Sequence, residues 1–415
     1  MKVKKNYLLA ILATMALTPT LSAQEHRGSA ADGSFFTPEN LPYSVLHMRE
    51  FMPTTNVPRG NEVRLHSFRY RLDEERIDAL EFVPLGHTEP ITFREGLSRN
   101  FVDGIIILHR GKVVYERYFD GMNGSNLHAV MSVTKSFTGT LAAALVAEGL
   151  LDPSQTVAHY LPELAESGFG DATVRQVMDM TTAIVYSEDY TDPNAEVWSF
   201  STAGNAMLPH PEGTPQGYHD YLATIRKSGT HGQQFGYRTV NSDVLGWIVE
   251  RVGGAPIAEQ LTQRVWSRMG MEQDAYYQVD ATGTAFAGGG LNATVRDLAR
   301  FGQMMLSGGR WRGEQIIPRE AIDDIRFGGD KAPFAASSYG SGNLKGWCYR
   351  NMWWVTNNPN GAYMARGVHG QAIYIDPTAE MVIVRVASNP NASNTLNDYL
   401  SLPAYQAVAD YLMGN

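Results

Sequence analysis

Four β-forming runs sit at the two ends of this chain, and the stretch between them reads as mostly helix and loop. Toward one end, Gly104-Ile-Ile-Ile-Leu-His109 and Lys112-Val-Val-Tyr-Glu-Arg-Tyr118 flank Arg110-Gly111, a tight glycine-containing turn, and so predict a hairpin. Toward the other, Gln371 to Ile375 and Met381 to Ala387 flank the turn Asp376-Pro377. Such distant runs share one layer only if the chain ends meet. The prediction is an α+β fold, an antiparallel sheet built from both chain ends and flanked by helices, with a mostly helical subdomain inserted at about 152–283.

Three helices are legible. Val133, Phe137, Leu141 and Leu145 recur at helical spacing until Gly149 stops the pattern, which puts Ser132 at a helix start. The other two run from Thr294 to Leu306 and from Pro403 to Met413. The chain is 43% hydrophobic with a single cysteine, Cys348, so its core is held by packing rather than by disulfides. No Cys/His cluster has the spacing of a structural zinc site.

Residues 1–23 read as a secretory signal peptide: a basic Met1-Lys2-Val3-Lys4-Lys5, an apolar Tyr7 to Leu17 and a small-residue exit, Thr18 to Ala23. The apolar core is too short for stable membrane insertion, and no later run is long enough to span. The expected location is therefore a bacterial periplasm or the exterior. Residues 24–75, rich in Gly, Ser, Pro and Thr at their start, read as an extended N-terminal arm, and 76–415 as the functional domain. The formal net charge of -9 becomes more negative once Lys2, Lys4 and Lys5 leave with the leader. With no Lys/Arg stripe, nucleic acid is excluded as a partner.

The local signal with the clearest chemistry is Ser132-Val-Thr-Lys135 at the helix mouth. Residues three apart share a helix face, so the Lys135 amine can sit beside the Ser132 hydroxyl. A desolvated amine is one established activator of a serine nucleophile, and the helix N-terminus adds free N–H groups where an oxyanion would form. Ser132 could equally be only an N-cap. Phe235-Gly236-Tyr237 precedes another helix; Tyr237 is a candidate general base for Ser132 or a packed aromatic, and Asn241 a substrate contact or an N-cap. At Gly367-Val368-His369-Gly370-Gln371 glycines enter a β run, where an exposed N–H could pair with that of Ser132 as a two-donor oxyanion hole. His369 alone reads as a surface or core histidine.

Together these stretches resemble the serine β-lactamase and penicillin-binding-protein superfamily, whose first motif is Ser-x-x-Lys. The chain is most similar to its 6-aminohexanoate-dimer hydrolase and carboxylesterase-like branch, through Met-Ser-Val-Thr-Lys-Ser at 131–136, Asp-Met-Thr-Thr at 179–182, Asn-Ser-Asp-Val-Leu-Gly-Trp at 241–247, Gly-Gly-Gly-Leu-Asn-Ala-Thr at 288–294 and His-Gly-Gln at 369–371. The resemblance implies a β-lactamase/transpeptidase-like fold and a serine hydrolase that cleaves a small-molecule ester or amide without metal or cofactor. It implies Ser132 as nucleophile, Lys135 as its proton partner and Tyr237 as the general base that later protonates the leaving group. A DD-peptidase, a penicillin-binding protein or a non-catalytic ligand sensor would share the same fold.

The sequence departs from the superfamily in two places. Three residues separate Tyr237 from Asn241 where one is usual, and Lys-Thr-Gly is absent. With Gly370 in the glycine position, Val368 and His369 replace Lys and Thr, His369 and Gly370 border the substrate, and Gln371 supplies the oxyanion N–H; a shift of register would make it Ala372. The missing lysine predicts poor penicillin turnover. Tyr190, in the loop Tyr186 to Pro193, corresponds to the branch's substrate-contacting tyrosine.

Overall fold

A computed structural model describes residues 27–61 and 65–414. The signal-peptide reading of residues 1–23 falls outside them. Arg110 and Gly111 both take positive φ, 50° and 72°, the geometry of a two-residue turn whose twist matches that of paired strands. Val102–His109 and Lys112–Tyr118 therefore pair as a hairpin. Met381–Ala387 lies antiparallel to Val102–His109, with Val384 opposite Ile106, so the two ends of the chain do meet. Ile105 to Leu108 is a continuous apolar run rather than an alternating one because both faces of the strand are covered.

The main sheet has eight strands, in the order Cys348–Arg350, Trp353–Val355, Tyr363–Gly367, Gln371–Asp376, Met381–Ala387, Val102–His109, Lys112–Tyr118 and Arg69–Tyr70. All neighbours are antiparallel except Arg69–Tyr70, which runs parallel to its partner. The first three strands are not legible in the sequence. Two are only three residues long, and the turn joining them, Asn351-Met352, reaches positive φ (49° and 63°) without a glycine to announce it.

Helices cover both faces of the sheet. On one, Val295–Leu306 starts from Thr294, whose hydroxyl accepts the Asp297 amide at 3.1 Å, and presses Gly302 so near the sheet that a Cβ would lie 2.6 Å from Val382. On the other, Thr395–Met413 sets Tyr405 against Tyr374, centroids 5.1 Å apart. This last helix begins well before the predicted Pro403. Proline removes the bond to the carbonyl four residues back, and here that carbonyl, on Tyr399, accepts the Leu85 amide at 2.8 Å, so the helix continues through it.

Helix Val133–Ala147 is buried on every side from Val133 to Leu145, its polar Thr134, Lys135, Ser136, Thr138 and Thr140 included, with Gly149 (φ 73°) just past its end. It packs on Val240–Gly253 of the inserted helical region. The N-terminal segment is not a loose arm. Thr54–Val57 pairs with Ala275–Gln278 in a second, four-stranded sheet, and Leu41, Val45, Met48 and Phe51 form a cluster with Ala129 and Met131, the residues leading to Ser132. Its apolar residues at irregular spacing carry no period, yet they find a shared surface. Among the described residues no helix is long and apolar enough to cross a membrane.

Candidate active site

Ser132 occupies the N-cap position of Val133–Ala147, but its side chain makes no capping bond. Met131 before it is held at φ 48°, a conformation costly for a long side chain, which swings Ser132 out at the helix mouth. The Lys135 Nζ lies 2.8 Å from Ser132 Oγ and donates to the Gly288 carbonyl at 2.6 Å. Lys135 is 1% exposed. Burial lowers its pKa from the ordinary lysine value, opposed by the carboxylates of Glu188 and Asp243.

Tyr237 reaches the same hydroxyl. Its ring stacks on Trp354, centroids 5.4 Å apart, and its centroid lies 5.3 Å from Lys135 Nζ. Burial, reinforced by the negative charge of Glu188, drives its pKa well above the usual tyrosine value, while its hydrogen bond with Ser132 pulls the other way. A standing tyrosinate is therefore disfavoured, and the group beside Ser132 is a neutral phenol.

Ser132 and Tyr237 open into a cavity of about 140 Å³ that is also lined by Tyr190, Glu188, Arg366 and Val368. Tyr190 lines the same cavity as Ser132, its hydroxyl donating to Glu188 Oε1 at 2.8 Å. Glu188 was missed, although it lies in the same selected loop; its other bonds are from the Thr239 hydroxyl and amide, both at 2.6 Å. Arg366 was also missed. It donates to the buried Asp398 at 2.6 Å, its Nη1 has no hydrogen-bond partner among the described residues, and its guanidinium lies 5.0 Å from the Trp354 ring centroid. The cavity therefore holds a cation despite the absent Lys-Thr-Gly.

The oxyanion and substrate assignments around Gln371 need correction. The strand that borders Ser132 is Tyr363–Gly367, not Gln371–Asp376 behind it. Gly367 approaches so closely that a Cβ would meet the Val130 carbonyl at 2.7 Å, and Val368 follows into the cavity. Among the described residues, neither the Ser132 nor the Val368 amide donates to another protein group. Gln371 instead faces Ala387, donating to its carbonyl at 2.6 Å and accepting its amide at 3.0 Å. His369 is buried, with Nδ1 2.7 Å from the Asn389 carbonyl and its ring edge-on to Phe36. Gly370 forms the turn corner at φ 100° against Ala387. None of the three lines the cavity, because the hairpin turn carries them past it.

Asn241 does not line the cavity either. It is fully buried inside Val240–Gly253, its Oδ1 accepting the Thr182 hydroxyl at 2.7 Å and its Nδ2 donating to Arg238 at 3.2 Å, so it ties the Asp179-Met-Thr-Thr182 segment to the helix. No group of His, Cys, Asp and Glu among the described residues is arranged to hold a metal ion.

Comparison with known proteins places the chain in a family. The beta-lactamase family model matches residues 99–405. A 6-aminohexanoate-dimer hydrolase of Paenarthrobacter ureafaciens is 36% identical over 351 residues, spanning 84% of this chain and 86% of the relative. A solved structure from Bacillus anthracis, described as a candidate 6-aminohexanoate-dimer hydrolase, superposes with a TM-score of 0.80 at 33% identity over 90% of this chain and 95% of that one. A penicillin-binding protein homologue from Caulobacter crescentus shares the fold, with a TM-score of 0.55 at 19% identity over 76% of this chain and 96% of that one. With the matched segment running from the first strand of the hairpin into the last helix, this chain belongs to the beta-lactamase family.

Proposed function

We propose that this protein is a serine hydrolase that cleaves an ester or amide bond of a small molecule through an acyl-enzyme on Ser132. The observation that carries the reading is the 2.8 Å approach of a buried lysine amine to a serine hydroxyl that does no capping and opens into a cavity. In its unprotonated form, which burial brings within reach below the ordinary lysine range, the Lys135 amine accepts the Ser132 proton as Oγ attacks the carbonyl carbon. The oxyanion is held by the Ser132 and Val368 amides. The Tyr237 phenol gives its proton to the leaving group and regains one from Lys135; water then cleaves the acyl-enzyme and releases the acid.

The relatives named for 6-aminohexanoate-dimer hydrolysis favour a linear amide of that kind beside short esters as substrate. The leader-like residues 1–23 support export to the periplasm or the exterior. Ser132→Ala is expected to abolish turnover of a short-chain nitrophenyl ester, and the parent enzyme to show a transient mass adduct on Ser132. Undiminished turnover by the variant overturns the assignment, and an adduct that persists for hours replaces the hydrolase with a ligand sensor.

A further inference from the structure

Lys135 makes two hydrogen bonds, and the second leads away from the cavity. Its acceptor, the Gly288 carbonyl, belongs to a short segment clamped between two helices. From Val133–Ala147, Thr138 Oγ1 donates to the Ala287 carbonyl at 2.9 Å. From Val240–Gly253, Asp243 Oδ1 accepts the Gly288 amide at 3.2 Å. Asp243 is 3% exposed, and among the described residues its buried Oδ2 makes no hydrogen bond of ordinary geometry. A Cβ on Gly288 would stand 2.8 Å from that oxygen, so only glycine lets the carboxylate lie this close under the segment.

A carboxylate buried with an unpartnered oxygen is costly unless a nearby positive charge offsets it. The charge available is Lys135. We propose that Asp243 is a positioning residue for Lys135: its carboxylate fixes the Ala287–Gly288 segment whose carbonyl holds the amine against Ser132, and it supplies the buried countercharge to the ammonium. This rests on the acyl-enzyme reading of Ser132 given above.

The assignment specifies which groups set the charge state of the amine. Lys135 is faced by Glu188 from the cavity loop, by Asp243 from Val240–Gly253 and by the neutral Tyr237 phenol. Burial raises the Asp243 pKa from the ordinary carboxylate value, opposed by the Lys135 charge and by the Gly288 and Ala287 amides, so it is the ammonium that keeps this carboxyl ionised; Asp243 in turn acts on Tyr186 and Tyr218, and His219 and Glu250 line the small void next to it. Of the two acids, Glu188 is hydrogen-bonded to Thr239 and Tyr190 and touches the cavity, whereas Asp243 does not line it. Removing the Asp243 charge therefore changes the amine without removing a substrate contact.

The test uses the full-length mature enzyme and a nitrophenyl ester. Asp243→Asn keeps the shape and an oxygen for the Gly288 amide but drops the charge. It is expected to leave KM within about twofold, lower plateau kcat by about tenfold, and move the acid limb of kcat/KM to lower pH by about one unit, because an ammonium without its countercharge loses its proton sooner. Asp243→Ala, which also frees the segment, is expected to lose more kcat with the same shift of the limb. Labelling of Ser132 by a fluorophosphonate, followed by intact mass, gives the same pH dependence on the folded fraction alone. An acid limb unmoved in the Asn variant, with the loss appearing only as a lower melting temperature, overturns the proposal. Should Ser132→Ala retain turnover, the acyl-enzyme reading is what fails; an inactive Ser132→Ala beside an unshifted Asp243→Asn limb removes only Asp243.

Discussion

Gly367 and Val130 meet backbone to backbone at the mouth of the cavity, with room between the Gly367 Cα and the Val130 carbonyl for hydrogen but not for carbon. This contact brings the end of strand Tyr363–Gly367 up to the turn that carries Ser132, where the amides of Ser132 and Val368 have no acceptor among the described residues. Val368→Pro, which deletes one of these donors, is expected to lower kcat by about 10²–10³-fold. Val368→Ala keeps the N–H and should lose far less. Equal losses in the two variants, measured as kcat on a nitrophenyl ester, would show that the side chain rather than the amide matters.

The pH profile follows from the directions of two shifts. Burial depresses Lys135, so its unprotonated, base-competent form is reached below the ordinary lysine range, and kcat/KM should rise with pH on a single acid limb set by that amine. Burial and Glu188 raise Tyr237, so its proton-donating form persists above the ordinary tyrosine range. Activity should therefore stay level up to about pH 10, the unperturbed tyrosine value. An alkaline limb near neutrality would contradict the assignment of Tyr237 as the proton donor.

Tyr237→Phe separates the two halves of the proton path. The ring keeps its stacking on Trp354 while the hydroxyl is lost. A nitrophenolate leaves without help, whereas an amine must be protonated. The variant is expected to lose about 10²–10⁴-fold in kcat on a linear amide and clearly less on a nitrophenyl ester. Equal losses on both would place the hydroxyl at the attack step only.

Gly139→Ala tests the packing under the nucleophile. Helix propensity alone favours alanine by about 1 kcal/mol. Here the new methyl would stand 2.0 Å from the Asn351 carbonyl oxygen, a backbone atom that cannot swing aside. Steric overlap of this kind costs about 1–3 kcal/mol or more, so the substitution is expected to lower stability despite its propensity, as read by urea denaturation.

Arg366→Met leaves Asp398 buried without its cation. Both side chains are almost fully buried, and Arg366 Nη2 donates to the Asp398 carboxylate at 2.6 Å. Breaking a buried pair from one side typically costs about 3–5 kcal/mol. A drop in the urea midpoint is expected, with partial recovery in Arg366→Met/Asp398→Asn, where the orphaned charge is removed as well.

The parts of the site that were readable in sequence were those whose geometry is local or carried by a resemblance. Ser132 and Lys135 share one helix face by spacing alone, and the resemblance added Tyr237 and Tyr190. The errors cluster where distant segments choose the partner. Gln371, His369 and Gly370 stand at a glycine-rich strand entry, as expected of an oxyanion strand, but the hairpin lays the preceding strand, ending in Arg366-Gly367, against Ser132. Asn241 lies within reach of Tyr237 along the chain, yet its helix turns it toward Thr182. Glu188 and Asp243 are far from Lys135 along the chain until folding brings both beside it.

The sequence by itself determined the periodic elements, the meeting of the chain ends in one sheet and the Ser132–Lys135 pair, because hydrophobic period and helical spacing are short-range properties. Only the tertiary structure decided which backbone amides face the nucleophile, which carboxylates face the amine and how the N-terminal segment closes over Met131. Those are matters of strand register and burial, and the electrostatics of a group depend on what surrounds it in space rather than on its neighbours along the chain.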